Sequence, residues 1–329
     1  MSDPTSGLPA AAAAFEELVL GGPRRYTREQ VAELAGVDVP EARRYWRSLG
    51  FPDVGDEPRS FTDADVAALR LLVGLVRDGV LDEDLAVSLT RALGHTMARL
   101  VEWEVEALTE QLLERRGLQR PDSLLQGVAL GAAHLDDLER LLVFAWRRQV
   151  AAAASRVVAA AEAGVQPGLV TVGFADLVAF SRLSQRLTER ELAALVRRFE
   201  ELANDVVAAG HGRVVKTVGD EVLFVADQVP DAARIAVGLA AAMAADPDLP
   251  DVRIGLATGP VVARFGDVFG RTVNLASRLT GMAQPGTVLV DRGTALALEG
   301  VDGFVVDREQ VRAVRGLGLV EPAVLRSAG

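Results

Sequence analysis

The chain has 329 residues and a formal net charge of −11, with 50% hydrophobic and 25% charged residues. That balance belongs to a soluble globular protein long enough for two cores, since one core stops growing near ~250–300 residues, and its sign argues against nucleic acid as a general partner. The absence of cysteine excludes disulfides, thiolate metal sites and cysteine nucleophiles, and no uncharged apolar stretch approaches the ~18–20 residues of a membrane span.

The chain opens Met1-Ser2-Asp3-Pro4 and runs into alanines with no basic region first, which is not the order of a signal peptide. A cytoplasmic location is therefore expected. Residues 1–22, rich in Ala, Gly and Pro, read as a flexible segment. From Thr27 the pattern turns helical: Thr27 and Gln30 form a capping-box signature ahead of Val31, Leu34 and Ala35, Gly36 stops that helix, and a second begins at Pro40.

The run from Tyr26 through Gly36 and Arg43-Arg44-Tyr45-Trp46-Arg47 to Phe51-Pro52, followed by Phe61-Thr62-Asp63, resembles the helix-turn-helix opening of MerR-type regulators. Arg43, Arg44 and Arg47 are candidates for phosphate contact from a recognition helix. In an acidic chain, though, DNA is not the expected partner. Thr62 caps a further helix with Val66, Leu69, Leu72, Val73 and Val76 on one face. Helical periodicity continues over Leu81–Leu118 and Leu124–Val150, broken at Gly117 and Pro121. Residues 23–150 thus read as an all-α regulatory domain. His95 and His134 lie in it as candidate proton sensors, while His211 reads as a loop residue. Its apolar helices could also hold a small hydrophobic ligand.

An alanine-rich helical linker is expected over 151–167, ending in Gly164-Val165-Gln166-Pro167-Gly168. Beyond it strands and helices mix. Leu169–Phe174 reads as a strand, and Thr188 with Glu191 as the capping box of a helix through Val206. Val214-Val215 and Val222–Val225 read as strands around a tight Gly219-Asp220 turn. A helix over Asp231–Ala245, a strand over Val252–Ala257, a helix over Thr272–Met282 and a strand over Val288–Val290 follow. Residues 168–329 are expected to form an α/β sandwich with one mostly antiparallel sheet.

Asp176 directly follows the first strand, and Asp220 lies on the turn between the next two. Two carboxylates on adjacent strand ends can hold two divalent cations for an in-line phosphoryl or nucleotidyl displacement. The amides from Leu177 to Ser181, at a strand-to-helix turn, could cradle a triphosphate. Asn274 and Arg278, four apart on a helix, project from one face and suit a ribose and a phosphate. Of the 35 basic residues Lys216 is the only lysine, in Lys216-Thr217-Val218-Gly219-Asp220-Glu221, a place where a compact ammonium and a planar guanidinium are not equivalent.

Three motifs in this order, Phe174-Ala175-Asp176-Leu177-Val178-Ala179-Phe180-Ser181, Lys216 to Glu221, and Gly266-Asp267-Val268-Phe269-Gly270-Arg271-Thr272-Val273-Asn274-Leu275-Ala276-Ser277-Arg278-Leu279, resemble the catalytic domain of class III adenylate cyclases. The resemblance implies an α+β, ferredoxin-like nucleotidyl-cyclase fold and conversion of ATP to 3′,5′-cyclic AMP and pyrophosphate. Two divalent cations, Mg²⁺ or Mn²⁺, would be held by Asp176, Asp220 and the backbone carbonyl of Leu177. It also implies that Lys216 and Asp267 read adenine, that Phe180 and Ser181 lie at the phosphates, that Asn274 orients the ribose and that Arg278 stabilises the reacting phosphorus. Arg315 would fall near the terminal phosphates. The family's sites are shared between catalytic domains, which implies a homodimer. A diguanylate cyclase is a rival reading through Val218-Gly219-Asp220-Glu221-Val222-Leu223-Phe224, but only one glycine precedes the aspartate. A DNA-binding regulator using a cyclase-like fold as a nucleotide sensor is the other, and such a sensor would have lost one of the aspartates, Asn274 or Arg278.

Overall fold

In the computed structural model, which describes residues 15–51, 59–116, 129–130, 133–162, 168–264 and 266–328, the chain divides into a unit over Met1–Ala154 and a unit over Ser155–Gly329. The expected break at Gly117 and Pro121, linker residues 163–167 and the first fourteen residues of the flexible segment lie outside the described residues.

The first unit holds α1 (Arg28–Ala35), α2 (Val39–Ser48), α3 (Asp63–Arg77) and α4 (Glu83–Arg116), and most of α5 (Leu135–Glu162). The caps fall where the sequence puts them. Thr27 and Gln30 close a capping box, Gly36 takes the left-handed C-cap conformation (φ 75°), and Thr62 forms a second box with Asp65. Val31, Phe61 and Val66 form a small core with Tyr26, Trp46 and Leu69 packed on it, and Phe61 pairs with Tyr26 in an isolated bridge. Helix α5 runs through Ala151 without a break, so the alanine-rich stretch expected as a helical linker continues the helix before it. Alanine is the best helix former, and a change to it alters composition without interrupting backbone structure.

The second unit is built on a seven-stranded sheet. Its strands are β1 (Leu169–Leu177), β2 (Arg213–Val218), β3 (Glu221–Ala226), β4 (Val252–Pro260), β7 (Val288–Val290), β8 (Phe304–Arg308) and β11 (Ala323–Ser327), in the order β2-β3-β1-β4-β7-β11-β8. All pairs are antiparallel except β4 with β7. Two hairpins stand apart: β5 (Val262–Arg264) with β6 (Asp267–Phe269), and β9 (Arg312–Val314) with β10 (Gly318–Val320). Helices α6 (Phe180–Leu183), α7 (Glu189–Ala209), α8 (Val229–Ala245), α9 (Arg271–Met282) and α10 (Arg292–Leu298) complete it. This is the α+β arrangement expected for the C-terminal half.

Each face of the sheet has its own core. On one, Ala175, Leu177, Phe224 and Ile254 pack with Phe199 and Ala203 of α7 and Ile235 and Leu239 of α8. On the other, Val172, Phe174, Leu223 and Val225 pack with Ala276 and Leu279 of α9. Close seating of α9 depends on Gly255 of β4, where a Cβ would lie 2.3 Å from the Thr280 nitrogen and 2.4 Å from the Ala276 oxygen. Side chains alternate along a strand, so Asp176 shares the α9 face with Val172 and Phe174.

Candidate active site

Asp176 is the penultimate residue of β1, which runs past the expected strand end at Phe174 to Leu177, and Asp220 sits in the turn joining β2 to β3, where Gly219 takes φ 61°. The Leu177 amide donates to the Asp220 carbonyl at 3.0 Å, so the turn is tied to the end of β1 and the two aspartates are held at one corner of the sheet. Burial pushes the Asp176 carboxyl above its ordinary value, and the nearby Asp220 charge pushes it further; Arg253 acts in the opposite sense. The sheet register explains the neighbours: Asp176 stands between Glu221 on β3 and Arg253 on β4. Burial also raises the Glu221 carboxyl, with Asp176 and Asp220 adding to the shift and Lys216 opposing it.

Partly desolvated carboxylates that raise one another's pKa are short of positive charge, and their oxygens are the donors that Mg²⁺ and Mn²⁺ prefer. Among the described residues no cluster of three or more His, Asp or Glu forms a closed metal cage. A pair of aspartates with open coordination suits Mg²⁺, which keeps several waters and is held by one or two carboxylates plus substrate phosphates.

Lys216 and Asp267 meet directly, Nζ to Oδ2 at 2.5 Å, and Asp267 Oδ1 accepts the Val268 amide at 2.8 Å. A one-residue register shift between Val214 and Lys216 produces this contact. Val214 pairs with Phe224 and lies in the α7 and α8 core, and in an unbroken strand Lys216 would share its face. The shift instead sets Lys216 opposite Leu223, on the α9 face, where β6 carries Asp267.

Helix α9 buries Thr272, Ala276, Leu279 and Thr280 against the sheet. Asn274 and Arg278 lie on its opposite, exposed side, four residues apart, so both project away from the sheet that carries Asp176. Among the described residues, no hydrogen bond or ion pair engages the Arg278 guanidinium.

Residues 165–326 match the family described as the adenylate and guanylate cyclase catalytic domain. An adenylate cyclase of Glutamicibacter nicotianae is 40% identical over 332 residues, covering 96% of this chain and 82% of that protein. One from Streptomyces coelicolor is 44% identical over 343 residues, covering 94% and 88%, and one from Streptomyces griseus 47% over 287 residues, covering 86% and 71%. The chain belongs to the adenylate and guanylate cyclase family.

Other parts of this cyclase's candidate site differ from the sequence expectation in detail. Of the amides from Leu177 to Ser181, two are used inside the protein, Leu177 by Asp220 and Val178 by the Asp251 carbonyl at 2.8 Å, which narrows any phosphate cradle to Ala179, Phe180 and Ser181. Ala179 takes a left-handed conformation (φ 60°) that swings the chain out of β1 and into the single turn of α6. Arg315 lies exposed in the turn between β9 and β10, and among the described residues no hydrogen bond or ion pair joins it to the other site residues.

Sequence reasoning passed over Arg253 and Glu221. Arg253 interrupts the apolar run of β4 between Val252 and Ile254, and its buried Nε has no hydrogen-bond partner among the described residues. A charged residue inside an otherwise buried strand was the available signal.

Proposed function

We propose that this cyclase converts ATP to 3′,5′-cyclic AMP and pyrophosphate, at sites shared between two copies of the chain. The observation that carries the reading is the Lys216–Asp267 pair. An ammonium donor beside a carboxylate acceptor matches adenine, whose N1 accepts and whose 6-amino group donates. Guanine presents the reverse at both positions, and a site whose polar groups are left unpaired by the wrong base can discriminate by up to ~10⁴. The relatives named adenylate cyclase at 40% and 44% identity support the same substrate.

Asp176, Asp220 and the Leu177 carbonyl would hold two Mg²⁺ or Mn²⁺ ions, which when bound lower the pKa of the attacking 3′-hydroxyl and neutralise charge on the leaving pyrophosphate. The protein's own part is placement. Lys216 and Asp267 fix the base, Asn274 holds the ribose, and the Ala179 to Ser181 turn faces the phosphates. Arg278 meets charge developing at the α-phosphorus, where a preorganised guanidinium is worth more than in water.

The position of α9 supports a homodimer. Its packed face lies between the sheet and the Asn274–Arg278 face, so the two residue sets point to different sides of one chain. A partner copy would supply the missing half of each site, and two equivalent sites would result.

The N-terminal unit is the proposed regulator. It contains an apolar cavity of about 250 Å³, lined by Val31, Trp46, Leu49, Leu69, Leu72 and Leu93 among others, with room for a small hydrophobic signal. The family assignment and the substrate are tested together by incubating purified protein with ATP or GTP and Mg²⁺ or Mn²⁺ and weighing the products. Cyclic AMP with pyrophosphate is expected; a linear dinucleotide, or turnover of GTP alone, overturns the reading.

A further inference from the structure

The arginines of α2 that suggested a DNA-reading helix share a hollow with one arginine of α4. Arg43, Arg44 and Arg47 of α2 and Arg91 of α4 line one hollow of about 290 Å³ with Pro40 and Ser48. No acidic residue is among the residues that line it. Arg43 and Arg47 are four apart on one helix, a spacing at which like charges repel. Arg44 is steadied from the side, by Glu83 of α4 at 2.9 Å and by the Tyr45 ring, whose centroid lies 5.6 Å from its guanidinium carbon. The Nε of Arg43 is buried and has no hydrogen-bond partner among the described residues. A buried donor without an acceptor carries its full desolvation cost, which selection tolerates where a ligand restores the bond.

We infer that this hollow binds a small phosphate-bearing ligand, a phosphomonoester or diphosphate. Guanidinium forks match phosphate oxygens in pairs, and four arginines around one hollow, with Arg44 already paired to Glu83, favour an anion there. A compact ligand fits better than DNA. Arg44 is bridged to α4 through Glu83 and Arg91 of α4 lines the same hollow, so α4 borders this face, whereas a recognition helix needs a free face to enter a groove ~12 Å wide. Asp82, Glu83 and Asp84, exposed at the start of α4, would also repel an extended polyanion but not a small one.

The test is isothermal titration of the full chain carrying Asp176→Asn and Asp220→Asn, in metal-free buffer at low salt, with pyrophosphate as the probe. Adding Arg43→Gln and Arg91→Gln should weaken binding at least tenfold. Arg47→Lys, which keeps the charge but loses the fork, should weaken it several-fold with an unchanged circular dichroism spectrum, and it decides the matter if the double substitution unfolds the helices. Hexyl phosphate separates two sources of the same chemistry. Binding much tighter than pyrophosphate identifies a phosphate with an apolar tail reaching the neighbouring cavity, which Arg43 also lines; equal or weaker binding identifies a soluble diphosphate. The proposal fails if these substitutions leave pyrophosphate affinity unchanged or if chloride at equal ionic strength gives the same heat. It also fails if duplex DNA binds more tightly than pyrophosphate and loses that binding with the same substitutions.

Discussion

Lys216 and Asp267 stand 51 residues apart in sequence and meet at 2.5 Å because β2 shifts register by one residue just before the lysine. An arginine there would carry the same charge on a wider, planar head and would not point a single donor at adenine N1. Lys216→Arg should therefore lower kcat/KM for ATP by about 10-fold or more, the range of a lost hydrogen bond to a charged group, while the melting temperature changes little. Steady-state kinetics with cyclic AMP detection checks this, and an unimpaired variant removes Lys216 from base recognition.

Asp176 links the site to stability. Burial, then Asp220, hold its carboxyl above the ordinary value, so the folded chain binds this proton more tightly than the unfolded chain does. In the window from the ordinary carboxylate pKa up to the raised one, stability falls as pH rises, and above the window the whole penalty remains. Asp176→Asn removes the charge. In metal-free buffer at pH 7.5 the variant should melt about 1–3 °C above wild type, given that ~1 kcal/mol moves Tm by ~2–4 °C in units of this size. The difference should shrink as pH falls toward 4, and added Mg²⁺ should stabilise wild type alone, while the variant makes no cyclic AMP. Scanning calorimetry at several pH values decides; a variant that melts below wild type at pH 7.5 without metal contradicts the account.

Gly255 lets α9 sit close on the sheet. A methyl group there meets backbone atoms of α9, the Thr280 nitrogen and the Ala276 oxygen, instead of a flexible side-chain end that could move aside. Gly255→Ala should cost about 1–3 kcal/mol, the usual range for overpacking, and should displace the helix that carries Asn274 and Arg278. Denaturant unfolding would show the stability loss, and activity should drop by more than the unfolded fraction explains.

What could be read in advance was local. The capping boxes at Thr27 and Thr188, the cap at Thr62, the turn at Gly219 and Asp220, and the four-residue spacing of Asn274 and Arg278 are short-range signals, and each corresponds to what the chain does. Pairing across strands was not legible. Arg253 and Glu221 become neighbours of Asp176 only through the register of β4 and β3, and the face on which Lys216 lies depends on a bulge that no side-chain pattern announces. The C-terminal strands from Phe304 to Ser327 went unread because they are three to five residues long, too short for alternation to stand out.

The outward placement of Asn274 and Arg278 makes a prediction about pairs of chains. If each site takes its aspartates from one copy and its α9 residues from the other, Asp176→Ala and Arg278→Ala chains are inactive alone for different reasons. In a mixed dimer one site collects both lesions and the other collects neither. An equal mixture allowed to exchange subunits forms half its dimers as hybrids, each with one sound site of two, so activity should return to about a quarter of the wild-type level. Folding defects cannot produce this recovery, since neither parent improves on dilution with itself. Cyclic AMP production measured across mixing ratios should peak near one to one, and a flat, inactive series would mean that each chain builds its site alone.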